Sequence, residues 1–308
     1  MNGFLNFNKP AGLTSHDCVA KVRRLLQTRR VGHGGTLDPA ARGVLPIALG
    51  KATRLLPYLR SDKAYRAVIR LGVQTTTDDL EGKVLHQCSA AQLDLETVQP
   101  VLQAFIGHLQ QVPPAYSAVQ VEGQRLYDLA RSGQSIKANP RPVEVFSIEV
   151  LDWRPGENPE LDVTIACGPG TYIRAIARDL GAALGVGGTL AKLLRTGSCG
   201  FELGESLTLE QLATLVEAGQ FQPIAPAIAL AHLPELNLPP DLAKRWCQGQ
   251  RLLLETPHPV IKGRPIDTAP MILRIQTEQS EFLGISKLEP LAQGGLLRPQ
   301  MVYAVAEP

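Results

Sequence analysis

The run Gly32-His33-Gly34-Gly35-Thr36-Leu37-Asp38-Pro39, continuing to Arg42-Gly43-Val44-Leu45-Pro46, crowds glycines, a histidine and two prolines around one aspartate. Neither a helix nor a strand interior tolerates that density of glycine and proline, so the segment reads as a loop of specified backbone shape. Pro39 pushes Asp38 away from the α region, toward an extended or turn conformation. Whatever fold the chain adopts must therefore present Asp38 on a shaped loop. The same residues also allow a helix start, with Asp38 as N-cap and Pro39 at the first helical position before Ala40-Ala41-Arg42. The two readings are compatible, because a capping carboxylate can also react.

Between Asp17 and Asp62 the only acidic residue is Asp38, whereas Lys21, Arg23, Arg24, Arg29, Arg30, Arg42, Lys51, Arg54 and Arg60 are basic. A lone carboxylate in a cationic, glycine-lined loop suits a reactive group placed where a polyanion docks. The formal net charge of +2 conceals this local concentration. A length of 308 residues exceeds what one core usually organises and predicts a large domain plus a small one. Apolar and charged contents of 44% and 19% exclude a disordered chain. No apolar run reaches membrane-spanning length and the N-terminus lacks a signal pattern, so no membrane and a cytoplasmic location are expected. The cysteines at 18, 88, 167, 199 and 247 are scattered and odd in number, which argues against a zinc site or disulfide framework. The histidines form no i, i+4 pair, so no metal is expected.

Along the chain, Phe4-Leu5-Asn6-Phe7 reads as a strand, and Thr14-Ser15-His16-Asp17 caps a helix with Val19, Val22, Leu25 and Leu26 inward and Lys21, Arg23 and Arg24 outward. Lys51–Tyr58 reads as a short helix. Residues 63–72 alternate as a strand with Tyr65, Ala67, Ile69 and Leu71 on one face, so Tyr65 is either a core aromatic or a ring facing a site. Lys83–His86 resumes a strand, and Leu93 to Leu109 carries a helical period. The excursion at 110–141 mixes tyrosines with arginines, a combination that stacks on unpaired bases and holds phosphates. Leu161–Ala166 is a core strand, and Tyr172 to Leu184 a helix with Ile173, Ile176, Ala177 and Leu180 inward. Arg174 and Arg178 share another face of that helix, and Arg174 sits in its first turn, where a cation opposes the helix dipole. A proline-rich passage after residue 218, Pro223 to Pro240, places a domain boundary near 231, and 271–275, 282–285 and 301–305 read as strands of a small β domain.

Asn8-Lys9-Pro10-Ala11-Gly12, the stretch from Gly32 to Pro46, Tyr65-Arg66 and Gly170-Thr171-Tyr172-Ile173-Arg174 together resemble the TruB type of tRNA pseudouridine synthase. Thr76 departs from the aspartate usual in that family's Thr-Asp-Thr stretch, while Asp79 matches. The resemblance implies an α+β fold. A pseudouridine synthase catalytic domain at 1–230 would carry a central mixed or antiparallel sheet flanked by helices, with an RNA-gripping insertion at 110–141; a small PUA-like β-barrel would follow at 231–308. It further implies isomerisation of uridine to pseudouridine in the T loop of tRNA, by a monomer that uses no cofactor. Carried over by motif, Asp38 is the nucleophile, Tyr65 the ring stacked on a flipped-out base and the acceptor of its C5 proton, and Arg174 the partner of Asp38. His33 fills the space the base vacates, Tyr172 and Leu193 line the uracil pocket, and Lys9 serves phosphate.

Two other readings compete. In an RNA-binding or tRNA-folding module the loop would merely grip phosphate, but a carboxylate at the centre of the patch would then be a liability. A hydrolase could use Gly168-Pro169-Gly170-Thr171 as an anion loop, but the P-loop spacing is missing.

Overall fold

The structure is a computed structural model, and it describes all residues except 118–119, 122–123, 126–137, 255–268, 292–293 and 305–308. Much of the insertion expected at 110–141 therefore lies outside the described residues. The first half contains β1 (Gly3–Lys9), α1 (Ser15–Leu25), β2 (Val31–His33), β3 (Arg42–Leu49), a 3-10 helix (Gly50–Tyr58), β4 (Lys63–Leu71), β5 (Val73–Thr75) and β6 (Val84–Gln87). There follow α2 (Leu95–Gln103), β7 (Gly107–Gln111), β8 (Gln120–Val121), β9 (Gln124–Arg125), β10 (Arg141–Arg154), β11 (Glu160–Cys167), α3 (Ile173–Ala183), β12 (Gly188–Ser198) and β13 (Phe201–Glu202). The remainder holds α4 (Leu209–Glu217), β14 (Glu235–Leu238), α5 (Pro240–Cys247), β15 (Leu252–Leu254), β16 (Met271–Thr277), β17 (Phe282–Pro290) and β18 (Gly295–Val302).

The fold is α+β. A central sheet runs β1-β3-β12-β4-β11-β10-β7, with β2 added to β3 and β13 to β12. Its pairs are antiparallel except for β3 with β12, which makes the sheet mixed. The expected alternation in β4 holds, for Tyr65, Ala67, Ile69 and Leu71 enter one core with Ile173, Ile176, Ala177 and Leu180 of α3. Strands β1 and β3 are buried on both faces because both are covered. Leu5, Phe7, Leu45 and Ile47 meet α1 and α4, while Phe4, Val44 and Ala48 meet the 3-10 helix and the C-terminal sheet. Pro46 survives inside β3 because its nitrogen, which cannot donate, faces the same side as its carbonyl, beyond the last β2 pair at His33. The carbonyl accepts from Gly34 N at 2.8 Å, and Gly34 O accepts from Cys199 Sγ at 3.3 Å instead.

A second, five-stranded sheet runs β14-β16-β17-β18-β15. Trp246 of α5 is buried against it and donates from Nε1 to Ser286 Oγ at 3.2 Å. Ile285 and Met301 carry this sheet onto Phe4 and Ala48, so the two sheets share a core. Among the described residues no helix is long and apolar enough to cross a membrane.

Four local expectations are corrected. The loop is shorter than the run of glycines and prolines suggests, since Val31–His33 is β2 and Arg42–Leu49, Gly43 and Pro46 included, is β3. No helix begins at Asp38; a single turn closes there, with Ala41 N bonded to Asp38 O at 3.1 Å, and β3 starts at Arg42. The helix expected to reach Leu109 ends at Gln103, because Gly107 takes φ +99° and 107–111 pairs with β10. The apolar period outlasts the helix because Phe105 and Ile106, in the turn, still pack on the core. The last C-terminal strand spans 295–302 rather than 301–305, and β14 and β15, four and three residues long, are too short to announce themselves by alternation.

Gly43 shows how tightly the Asp38 loop is joined to the sheet. It pairs in parallel with Arg195 at φ +106°, and a Cβ there would fall 2.1 Å from the Arg195 carbonyl oxygen. Gly43→Ala is therefore expected to destabilise the protein by at least about 2 kcal/mol, a fall in Tm of roughly 5 °C. Gly219→Ala is the control in a thermal melt. Its φ is also positive, +67°, but nothing lies within 4 Å of the added carbon, so its loss should be smaller.

Candidate active site

The Asp38 loop joins β2 to β3 and is held from beneath by groups that bond its backbone. Ser15 Oγ accepts from Leu37 N at 2.9 Å and donates to Leu37 O at 3.2 Å. Lys9, fully buried, donates from Nζ to the carbonyls of Pro10, Pro39 and Ala41 at 2.9, 3.1 and 2.7 Å. Arg195, also fully buried, donates to Val44, Thr36 and Gly35 carbonyls at 2.7, 3.1 and 3.3 Å. A glycine-rich loop gains rigidity in this way from charge-assisted bonds rather than from its own side chains.

The carboxylate of Asp38 faces the first turn of α3, where Arg174 Nε lies 3.0 Å from Oδ2. This is an ion pair without hydrogen-bond alignment, since Nε has no properly directed acceptor. The rest of the guanidinium is committed. Nη1 donates to Thr77 O and Nη2 to Tyr116 O, both at 3.0 Å, and Nη1 stands 3.5 Å from Asp79 Oδ2. One turn later Arg178 binds Asp78 at 2.9 Å, Asp179 at 2.8 Å and the Val112 carbonyl at 2.9 Å. The two arginines do share a face, as their spacing requires, but segments 77–79 and 112–116 cover it, leaving Arg174 only 5% exposed. These carboxylates offset the dipole penalty at the helix start. Thr76 is occupied elsewhere, its hydroxyl accepting from Lys83 N at 3.1 Å, so Asp79 supplies the acidic contact to Arg174.

Electrostatics follow from burial. Burial raises the Asp38 carboxyl above the ordinary aspartate value; Arg174 opposes the shift, Asp79 adds to it, and Lys9 opposes it. Burial pushes the Tyr65 phenol up to about 12, against the pull of Arg195. His33 is lowered by burial and by neighbouring His16, whose ring meets it edge-on at 5.3 Å. Its Nδ1 accepts from Gly35 N at 3.3 Å.

Asp38, Tyr65, Tyr172, Arg174 and Leu193 all line one cleft of about 610 Å³, which His16, Lys63 and Tyr116 also border. Five of the seven nominated residues thus converge from the loop after β2, from β4, from the start of α3 and from β12. His33 adjoins the cleft through His16. Lys9 does not fit its expected role, because all three of its bonds go to backbone carbonyls and none of its surface is free for phosphate. A cavity of about 720 Å³ opens on the opposite face of β4, but Arg66 and Arg154 there are paired with Asp162 and Glu160. The smaller cleft holds Asp38, Tyr65 and Arg174. Sequence reasoning missed the roles of Ser15, Arg178 and Arg195, which act on backbone or on residues distant in the chain.

Residues 23–173 match the family described as TruB family pseudouridylate synthase (N terminal domain), and 234–302 match pseudouridine synthase II TruB, C-terminal. The chain is 56% identical over 303 residues to the tRNA pseudouridine synthase B of Trichormus variabilis, covering 98% of this chain and 99% of that one. With the protein of the same name from Acaryochloris marina it shares 54% identity over 302 residues, covering 98% and 99%. Among solved structures it resembles a chain of a Cbf5-Nop10-Gar1 complex, with a TM-score of 0.75 at 27% identity over 98% of this chain and 85% of that one. A chain of an H/ACA RNP bound to a substrate RNA containing 2'-deoxyuridine gives a TM-score of 0.73 at 24% identity, covering 98% and 85%, a likeness of fold.

Proposed function

Because the chain belongs to the TruB family of pseudouridine synthases, we propose that its cleft isomerises uridine to pseudouridine in the T loop of tRNA, with Asp38 as nucleophile. The observation that carries this reading is the Asp38–Arg174 pair at 3.0 Å, in a cleft that Tyr65 also lines. In the reaction the C1'–N1 bond breaks, the base turns, and C5 bonds to C1'. C5 loses a proton and N1 gains one, so no cofactor is needed to balance the chemistry. Asp38 attacks as the carboxylate and forms a transient adduct. Arg174 keeps it oriented, and the fork contacts to Thr77 and Tyr116 keep Arg174 in place. The target base leaves its stack and is held between Tyr65, Tyr172 and Leu193, while His33 takes the vacated space. Tyr65 accepts the C5 proton.

Lys21, Arg23, Arg24, Arg29 and Arg30 are exposed and suit the phosphates of tRNA. Residues 1–230 act as the catalytic domain, their insertion at 110–141 grips RNA, and 231–308 form a PUA-like RNA-binding domain. A monomer is sufficient, and the cytoplasm is where the substrate is met. The test is to incubate the protein with a T-arm stem–loop and map pseudouridine. One modified T-loop uridine is expected, without added metal or cofactor. Tight binding with no product would instead favour the reading as a tRNA-folding module.

A further inference from the structure

Lys63 opens β4 two residues before Tyr65, so the two side chains leave the same face of the strand. Both line the cleft with Asp38. The side chain of Lys63 crosses the Asp38 loop at Gly35, where a Cβ would meet its Cε at 3.7 Å. Every other buried cation around the site is committed: Arg174 to Asp38, Asp79 and two carbonyls, Arg178 to Asp78 and Asp179, and Lys9 and Arg195 to three carbonyls each. Lys63 differs. Among the described residues no hydrogen bond or ion pair holds its ammonium; its neighbours are Arg195, which repels it, and the side chains of Cys199 and Cys167. Burial accordingly lowers its affinity for a proton. A half-buried cation without a counter-charge costs stability, and such a group persists where a ligand supplies the missing charge.

The reaction supplies one. Whether Asp38 attacks the base or the sugar, negative charge builds on the uracil as the electron pair of the C1'–N1 bond moves onto the ring. The nucleotide also brings a phosphate on each side. We propose that Lys63 is a substrate-contacting residue whose ammonium takes an anionic oxygen of the target nucleotide. This inference rests on the pseudouridine synthase reading above. Lys63 would act on the charge of the substrate, while Arg174 acts on the charge of the nucleophile.

The experiment uses the full-length protein and a T-arm stem–loop, with Lys63→Gln and Lys63→Arg. Single-turnover rate constants, filter-binding affinities across a salt series and thermal melts are measured, the kinetics well below every melting temperature. If the oxygen belongs to the uracil, Gln should lose at least about tenfold in the rate constant with affinity nearly unchanged. If it belongs to a phosphate, Gln should instead weaken binding and reduce the salt slope by about one. In both cases Arg should regain more than half of the loss on a logarithmic scale. A Gln variant within threefold of wild type in both rate and affinity would overturn the proposal, as would an Arg variant no better than Gln. Wild-type turnover and an inactive Asp38→Asn, run in parallel, keep the underlying assignment separate, since its failure would remove the product altogether.

Discussion

Asp38→Asn should abolish pseudouridine formation, by at least about four orders of magnitude or ~5.5 kcal/mol, while tRNA affinity stays within a few-fold. The amide keeps the shape of the side chain and its place against Arg174, but it is no longer a carboxylate nucleophile. Folding should not suffer. Arg174 retains its bonds to the Thr77 and Tyr116 carbonyls and its contact with Asp79. The sign of the electrostatics points the same way. A carboxyl whose proton affinity is raised in the folded state favours folding at low pH, and that contribution is lost as pH climbs through the window from the ordinary aspartate value to the raised one. At neutral pH the carboxylate is therefore a burden on stability that asparagine relieves. The variant should melt at or above the wild-type temperature at pH 7. Single-turnover assays on a stem–loop and paired melts check both halves. Substantial turnover by the variant would remove Asp38 as nucleophile, and a markedly lower melt would mean that its charge holds the loop.

How much of this the sequence disclosed depends on whether a residue acts through its own neighbourhood. Asp38 was legible because glycine and proline encode a local backbone shape and because its charge stands out in a basic stretch. Tyr65 and Arg174 were legible in part. Alternation placed Tyr65 on an inward face, and the 3.6-residue period placed Arg174 off the apolar stripe of α3. What covers that face, segments 77–79 and 112–116, is decided by long-range contacts that no period reports. Arg195 was opaque for the same reason. Its guanidinium serves the carbonyls of Gly35, Thr36 and Val44, more than 150 residues earlier, and backbone carbonyls leave no side-chain pattern to match. Lys9 misled because a lysine beside a basic patch looks like a phosphate ligand until its three carbonyl partners are seen. The second sheet was visible only where its strands are long enough to alternate.

Tyr65→Phe should slow the reaction at least a hundredfold, about 3 kcal/mol, without weakening tRNA binding or folding. The residue satisfies both of its sequence readings at once. It is 6% exposed in the core beside Ile69 and Ile165, and its ring also borders the cleft that holds Asp38. Because burial pushes the phenol up to about 12, the group is protonated at pH 7 and no tyrosinate stands ready as a base. The hydroxyl can still accept the C5 proton if its own proton leaves in the same step, and in the proposed reaction that proton would pass to the Asp38 carboxylate once the adduct has broken. Phe keeps the stacking surface and the packing but cannot relay a proton. Leu keeps neither the ring nor the relay, so Tyr65→Leu should lose rate, affinity and stability together. Single-turnover kinetics, binding and melts of the two variants separate these effects. A Phe variant at the wild-type rate would take the hydroxyl out of the mechanism and leave a ring that only stacks. The relay also predicts that the wild-type rate shows no inflection from Tyr65 through the neutral range, because the phenol remains protonated until the pH nears 12. A tyrosine-dependent rise between pH 7 and 9 would show instead that a free tyrosinate is the base.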